Sequence, residues 1–147
     1  CLTACPRIAS LHTNGAEALA LDLIERHDAC GIVLHWWHGN TAETCRAVKQ
    51  GCYFSVNPAM AGNVDILGSI PMERVLTETD HPFGDKKQGS PRRPGRMNRI
   101  ENTLAKTWDM DIEGVRRRVW MNMCELASRT TTSDLLPLTF QKYMLAA

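Results

Sequence analysis

Four short apolar runs, each closed by a polar residue, set the rhythm of the first half of the chain. Residues 7–12 (Arg-Ile-Ala-Ser-Leu-His) end in His12, residues 32–35 (Ile-Val-Leu-His) in His35, and residues 52–57 (Cys-Tyr-Phe-Ser-Val-Asn) in Asn57. The fourth, residues 74–79, leads into Asp80 and is stopped by Pro82 and Gly84, which suit neither a ladder nor a helix interior. Asp80 is thus predicted as the last residue of a strand. The run 32–35 is apolar without alternation, as expected of a parallel strand covered on both faces. Parallel sheets align their carboxyl ends along one edge, where α/β proteins place their chemistry. The pattern therefore predicts four polar strand tips on a common edge.

Between the strands the period changes. Thr13, Asn14 and Gly15 offer turn and cap chemistry for a helix over 17–28 whose apolar face is Leu19, Leu23 and Ile24. Thr41 is placed to cap a second helix that ends near Gln50, with Gly51 just beyond it. A short helical passage covers 63–69. After a loop rich in proline and glycine over 81–95, Met97, Ile100, Leu104 and Trp108 recur at helical spacing. Asp111 caps a further helix with the stripe Val115, Val119 and Leu126, and both helices are expected on the outside of the sheet. Residues 1–5 read as the tail of a preceding helix, so the chain is expected to start inside a fold. A stretch over 130–133 reads as flexible, and the tail from residue 129 ends in apolar residues, Leu135 to Leu145, that dock on this chain or on a partner.

Composition narrows the class. With 147 residues, 44% of them hydrophobic, the chain has material for one core, and a net charge of +1 exerts no global pull toward nucleic acid or membrane. No apolar run approaches the roughly 20 residues that span a bilayer. The expectation is a soluble, cytoplasmic protein with no membrane partner. Six scattered cysteines form no Cys-x-x-Cys pair and read as reduced, mostly buried thiols. Local charge is more telling: Lys86, Lys87, Arg92, Arg93, Arg96 and Arg99 follow Asp80 closely and read either as a phosphate-holding patch or as a solvated loop. Trp36 and Trp37 offer a stacking surface for a base, or one core ring and one loop clamp.

Two histidines and a carboxylate at strand tips are the residue types that hold a divalent metal. Imidazoles donate neutral nitrogen, a carboxylate offsets charge, and incomplete protein ligation leaves room for water, whose acidity the metal raises. A single strand-end histidine is more often a hydrogen-bonded structural residue, so the weight rests on three tips together.

The segments Ser10-Leu11-His12, Val33-Leu34-His35-Trp36-Trp37-His38-Gly39, Gly51-Cys52-Tyr53-Phe54-Ser55-Val56-Asn57 and Leu76-Thr77-Glu78-Thr79-Asp80-His81-Pro82-Phe83 resemble, in order and spacing, the second half of the TatD family of metal-dependent deoxyribonucleases. The resemblance runs from about residue 5 to residue 128, where Trp120-Met121-Asn122 to Leu126 is similar to the family's last helix. The Trp-rich loop and the Phe-Ser-Val-Asn strand also resemble the branch found in Qat anti-phage defence systems. The resemblance implies a TIM-type (β/α) barrel, here its C-terminal half of about four strand-helix units over 1–128 with a tail over 129–147. It further implies His12, His35 and Asp80 as ligands to zinc, magnesium or manganese, and Asp80 as the carboxylate that helps activate water against DNA. His38, Asn57 and Arg93 are candidate substrate contacts. Glu78 is expected to point away from Asp80 on the pleat, as a supporting or structural carboxylate.

Departures from that pattern are equally informative. The family's first-strand His-x-His and its bridging glutamate have no counterpart here, and 147 residues fall short of the roughly 200 to 250 a barrel uses. His38 and His81 stand where relatives carry small residues. The expected partner is therefore a missing N-terminal half or a second copy of the chain, and the chain alone is expected to be nearly inactive. Two other readings stay open: an amidohydrolase acting on amides or esters, and a non-catalytic half-barrel for assembly or binding.

Overall fold

The computed structural model describes residues 7–86 and 91–144, so the expected helix tail over 1–5, Lys87 and Leu145 lie outside the described residues. Four strands, β1 (Ala9–His12), β2 (Ile32–His35), β3 (Tyr53–Val56) and β4 (Val75–Thr77), form one parallel sheet in chain order. Helices α1 (Glu17–Arg26), α2 (Thr41–Lys49) and α3 (Val64–Ser69) carry the chain from each strand to the next. Beyond β4 come α4 (Asn98–Thr107), α5 (Ile112–Arg129) and α6 (Leu138–Met144). Register pairs His12 with His35 and His35 with Ser55, which lines up three tips in one row. No helix among the described residues is long and apolar enough to cross a membrane.

Pleating sends alternate side chains to opposite faces, and the two faces differ sharply. Leu34, Phe54, Val56 and Val75 project to one side and are sealed by Leu21, Ala47, Leu67, Ile100 and Leu104 from α1 to α4. Each such side chain contributes roughly 1.5–3 kcal/mol by leaving water. Trp37 joins this core, 2% exposed, with its indole Nε1 donating to Thr44 Oγ1 at 2.9 Å. A Cβ at Gly39 would lie 2.1 Å from that ring, so the glycine is what lets the loop close over it. Of the tryptophan pair, one is core and the other, Trp36, sits half-buried at the tip of β2.

Several local expectations are corrected. Asn40, not Thr41, caps α2: its Oδ1 accepts Glu43 N–H at 3.0 Å while Glu43 Oε2 accepts Asn40 N–H at 2.8 Å, a reciprocal pair that a hydroxyl one residue later cannot make. The start of α1 has no side-chain cap on Ala16. Its buried face is Leu21 and Ile24, whereas Leu19 and Leu23 are 60% and 43% exposed because none of the described elements packs on that side. Nor does α5 lie wholly behind the sheet: Val115 joins the sealed core, but Leu126 and Met123 pack with Val33, Tyr53 and Leu76 on the opposite face. The stretch over 130–133 is ordered by buried hydroxyls, Thr130 Oγ1 accepting from or donating to Thr132 Oγ1 at 2.8 Å and donating to Leu126 O at 2.9 Å. Of the described cysteines only Cys52 is buried, while Cys30 and Cys45 are exposed. Asn122 was not foreseen as structural; its Nδ2 donates to Met72 O and Val75 O, tying α5 to the start of β4.

Candidate metal centre

The second face of the sheet carries the chemistry at its carboxyl edge. His12 and His35 are register partners whose ring centroids lie 5.4 Å apart. Glu78 N–H donates to Val56 O at 2.9 Å, which extends the β4 alignment past Thr77 and brings the Glu78 carboxylate over the row. There it accepts from His35 Nδ1 at 2.6 Å and from Ser55 Oγ at 2.5 Å, with Asn57 Nδ2 at 3.5 Å. An ionised carboxylate can only accept, so Nδ1 of His35 is the donor in this bond and Nε2 is the nitrogen left for another partner. That nitrogen lies 3.6 Å from Asp80 Oδ1.

Two expectations change here. Glu78 does not point away from the tips: it lies two residues beyond Leu76, the register partner of Ser55, and on that face it is the supporting carboxylate that fixes the orientation of His35. Asp80 is not the last residue of a strand, because β4 ends at Thr77 and Asp80 follows in a left-handed turn with φ of 44°. Its carbonyl accepts Phe83 N–H and Gly84 N–H, both at 2.7 Å. A Cβ at Gly84 would come within 2.8 Å of Asp80 Cβ and 2.9 Å of Asn57 Cγ, so only glycine lets the turn press Asp80 against the tip of β3. Trp36 has φ of 45° immediately after His35, so backbone rarely adopted by such residues follows both β2 and β4, the two strands that flank β3.

The candidate substrate residues separate. His38 is exposed and its ring lies 5.7 Å from that of Trp36, tilted by 37°. Arg93 is exposed on the segment after the described break. Asn57 is fully buried, its Oδ1 accepts Ala59 N–H and Met60 N–H, and its amide faces Glu78, so its side chain shapes the turn beside the site. Among the described residues no three histidine, cysteine, aspartate or glutamate side chains already form a metal-holding group. What the chain brings together is a pair, His35 and Asp80, with His12 beside it. Donors each about 2.1 Å from one ion stand roughly 3–3.5 Å apart, so the 3.6 Å pair fits a shared divalent ion, and the Glu78 bond aims the correct nitrogen at it.

A family model described as TatD related DNase matches residues 4–128 of the chain. The chain belongs to the TatD family. An uncharacterized metal-dependent hydrolase of Methanocaldococcus jannaschii is 23% identical over 122 residues, which is 81% of this chain and 48% of that protein. Among solved structures, the TatD homologue YJJV of Escherichia coli K12 superimposes with a TM-score of 0.68 at 22% identity, over 80% of this chain and 48% of that one. A TatD family hydrolase of Entamoeba histolytica gives 0.66 at 16%, over 80% and 49%. The shared feature is the fold, and the chain spans about half the length of these TatD relatives.

Proposed function

We propose that the chain is the C-terminal half of a TatD-type (β/α) barrel and supplies His12, His35 and Asp80 to a divalent metal centre that hydrolyses DNA phosphodiesters. The observation that carries this reading is His35, held through Nδ1 by Glu78 with Nε2 facing Asp80. A histidine needs no such support to be a surface residue; a ligand does. Zinc, magnesium or manganese bound there would polarise a phosphoryl oxygen and raise the acidity of water. In this reading the Asp80 carboxylate, through the oxygen that it does not give to the ion, would receive the proton of the attacking water. Trp36 and His38 form a tilted ring pair just past His35, suited to stacking under a base, and Arg92, which donates to Pro82 O near Asp80, and the exposed Arg93 next to it in sequence are cations for a phosphate backbone.

The other half of the barrel is the proposed partner. Among the described residues β1 pairs only with β2 and β4 only with β3, leaving two sheet edges. A groove of about 490 Å³ runs along β1 and α1 past the exposed Leu19 and Leu23, and another of about 520 Å³ lies over Ser10, Ser55, Leu76 and Trp120. Apolar grooves beside open edges favour addition of further strands and helices.

The test is a nuclease assay on the 147-residue chain and on a complete barrel in which this segment is joined to an N-terminal half carrying His-x-His. The complete form should cut DNA with divalent metal and lose at least about 100-fold in Asp80→Asn. Robust metal-dependent cleavage by the chain alone, or an unimpaired Asp80→Asn, would contradict the reading.

A further inference from the structure

Asp85 is a carboxylate with no exposure at all, five residues beyond Asp80 on a surface turn. A charge is costly to bury without partners, and its partners here are basic. His81 Nδ1–H donates to Asp85 Oδ2 at 2.7 Å, while Oδ1, which accepts no hydrogen bond among the described residues, lies 3.7 Å from Arg92 Nη1. The same Arg92 nitrogen donates to Pro82 O at 3.3 Å, yet the Arg92 side chain stays 41% exposed. One buried carboxylate thereby ties the residue after Asp80 to the first described arginine of the basic segment. Asp85 has no surface with which to touch a substrate, and the proposed site makes no use of it.

We infer that Asp85 is a positioning residue for nucleic-acid binding: it holds the Arg92 guanidinium beside the Asp80 turn, where that cation meets a phosphodiester backbone. This deepens the nuclease reading and rests on it. The inference makes a prediction opposite in sign to simple electrostatics. Removing a negative charge near a polyanion tightens binding through space, whereas releasing Arg92 from its anchor weakens it.

The experiment measures affinity of the full chain for a fluorescent single-stranded oligonucleotide in chelator, at several salt concentrations, together with the rate of tryptic cleavage after Arg92. Asp85→Asn should bind about fivefold more weakly, the loss of one partly exposed ion pair, and be cleaved faster. Arg92→Ala should weaken binding comparably and lower the salt slope by about one. Lys49→Ala, an equal charge change at the end of α2, should do neither. Tighter or unchanged binding by Asp85→Asn overturns the inference, as does unchanged binding by Arg92→Ala, which decides alone if Asp85→Asn fails to fold. Should the wild-type chain bind no oligonucleotide, the nucleic-acid reading falls by itself, and an unchanged cleavage rate in Asp85→Asn then refutes the anchor separately.

Discussion

Phe54 and Ser55 are neighbours on β3, yet they inhabit different environments. Phe54 is fully buried against Trp37, ring centroids 5.9 Å apart and near edge-on, in a core the chain completes by itself. Ser55, on the other side of the pleat, spends its hydroxyl on Glu78 in a polar row whose lower part opens into a groove. One face holds the fold together. The other holds side chains in readiness and is finished only in part, by Leu126 and Met123 of α5 and by the Trp120–Phe140 ring pair at 4.2 Å. Stability and chemistry are thus assigned to alternate residues of the same strands.

Substitutions at those two neighbours separate the faces most strongly. Phe54→Ala should lower unfolding free energy by about 3–5 kcal/mol, since nothing can collapse into the space between Trp37 and the helices. Ser55→Ala should cost about 1 kcal/mol, the net value of one hydrogen bond. Denaturant melts of both variants check this, and equal losses would show that the polar row is as structural as the core.

A smaller effect reports on the sealed side alone. Burial lifts the Cys52 thiol from 9.0 to about 11, with Arg74 pulling slightly the other way. A raised folded value means that below pH 9 the thiol is protonated in both states and nothing is lost. Between pH 9 and about 11 the unfolded chain releases a proton that the folded chain keeps, so stability falls as pH rises, by about 1.4 kcal/mol per unit at most. Cys52→Ala should remove this component of the decline. At neutral pH the exposed Cys30 and Cys45 should alkylate readily while Cys52 stays protected until unfolding.

The sequence was most informative where one physical rule acts alone. Apolar runs ended by His12, His35 and Asn57 marked the ends of three strands to within a residue; in β2 and β3 burial on both faces leaves few other patterns, while β1, at the sheet edge, alternates half-buried and exposed residues. Asp111 was legible as a cap, its side chain accepting Gly114 N–H at 2.7 Å. Reading failed where two local rules compete. Asn40 and Thr41 are both good caps, and the capping box with Glu43 decided between them. Asp80 read as a strand end because the apolar run points to it, yet the turn closed by Gly84 takes over after Thr77. Glu78 was open to a simple correction, since parity places it on the face of Leu76, the register partner of Ser55. Asn122 and Asp85 left no signal, because each is defined by groups distant in sequence or by burial that no local pattern reveals.

The claim at the centre of this account is that the chain's own tips form part of a divalent metal site, with Glu78 aiming His35. Titration calorimetry of the wild-type chain with manganese and zinc measures it without reference to catalysis. Weak binding near one ion per chain is expected, strongly reduced in His35→Ala and Asp80→Asn, reduced in His12→Ala, and weakened about 10- to 100-fold in Glu78→Gln, where the orienting carboxylate is lost. Binding unchanged in His35→Ala and Asp80→Asn would remove these residues from any metal centre and contradict the account.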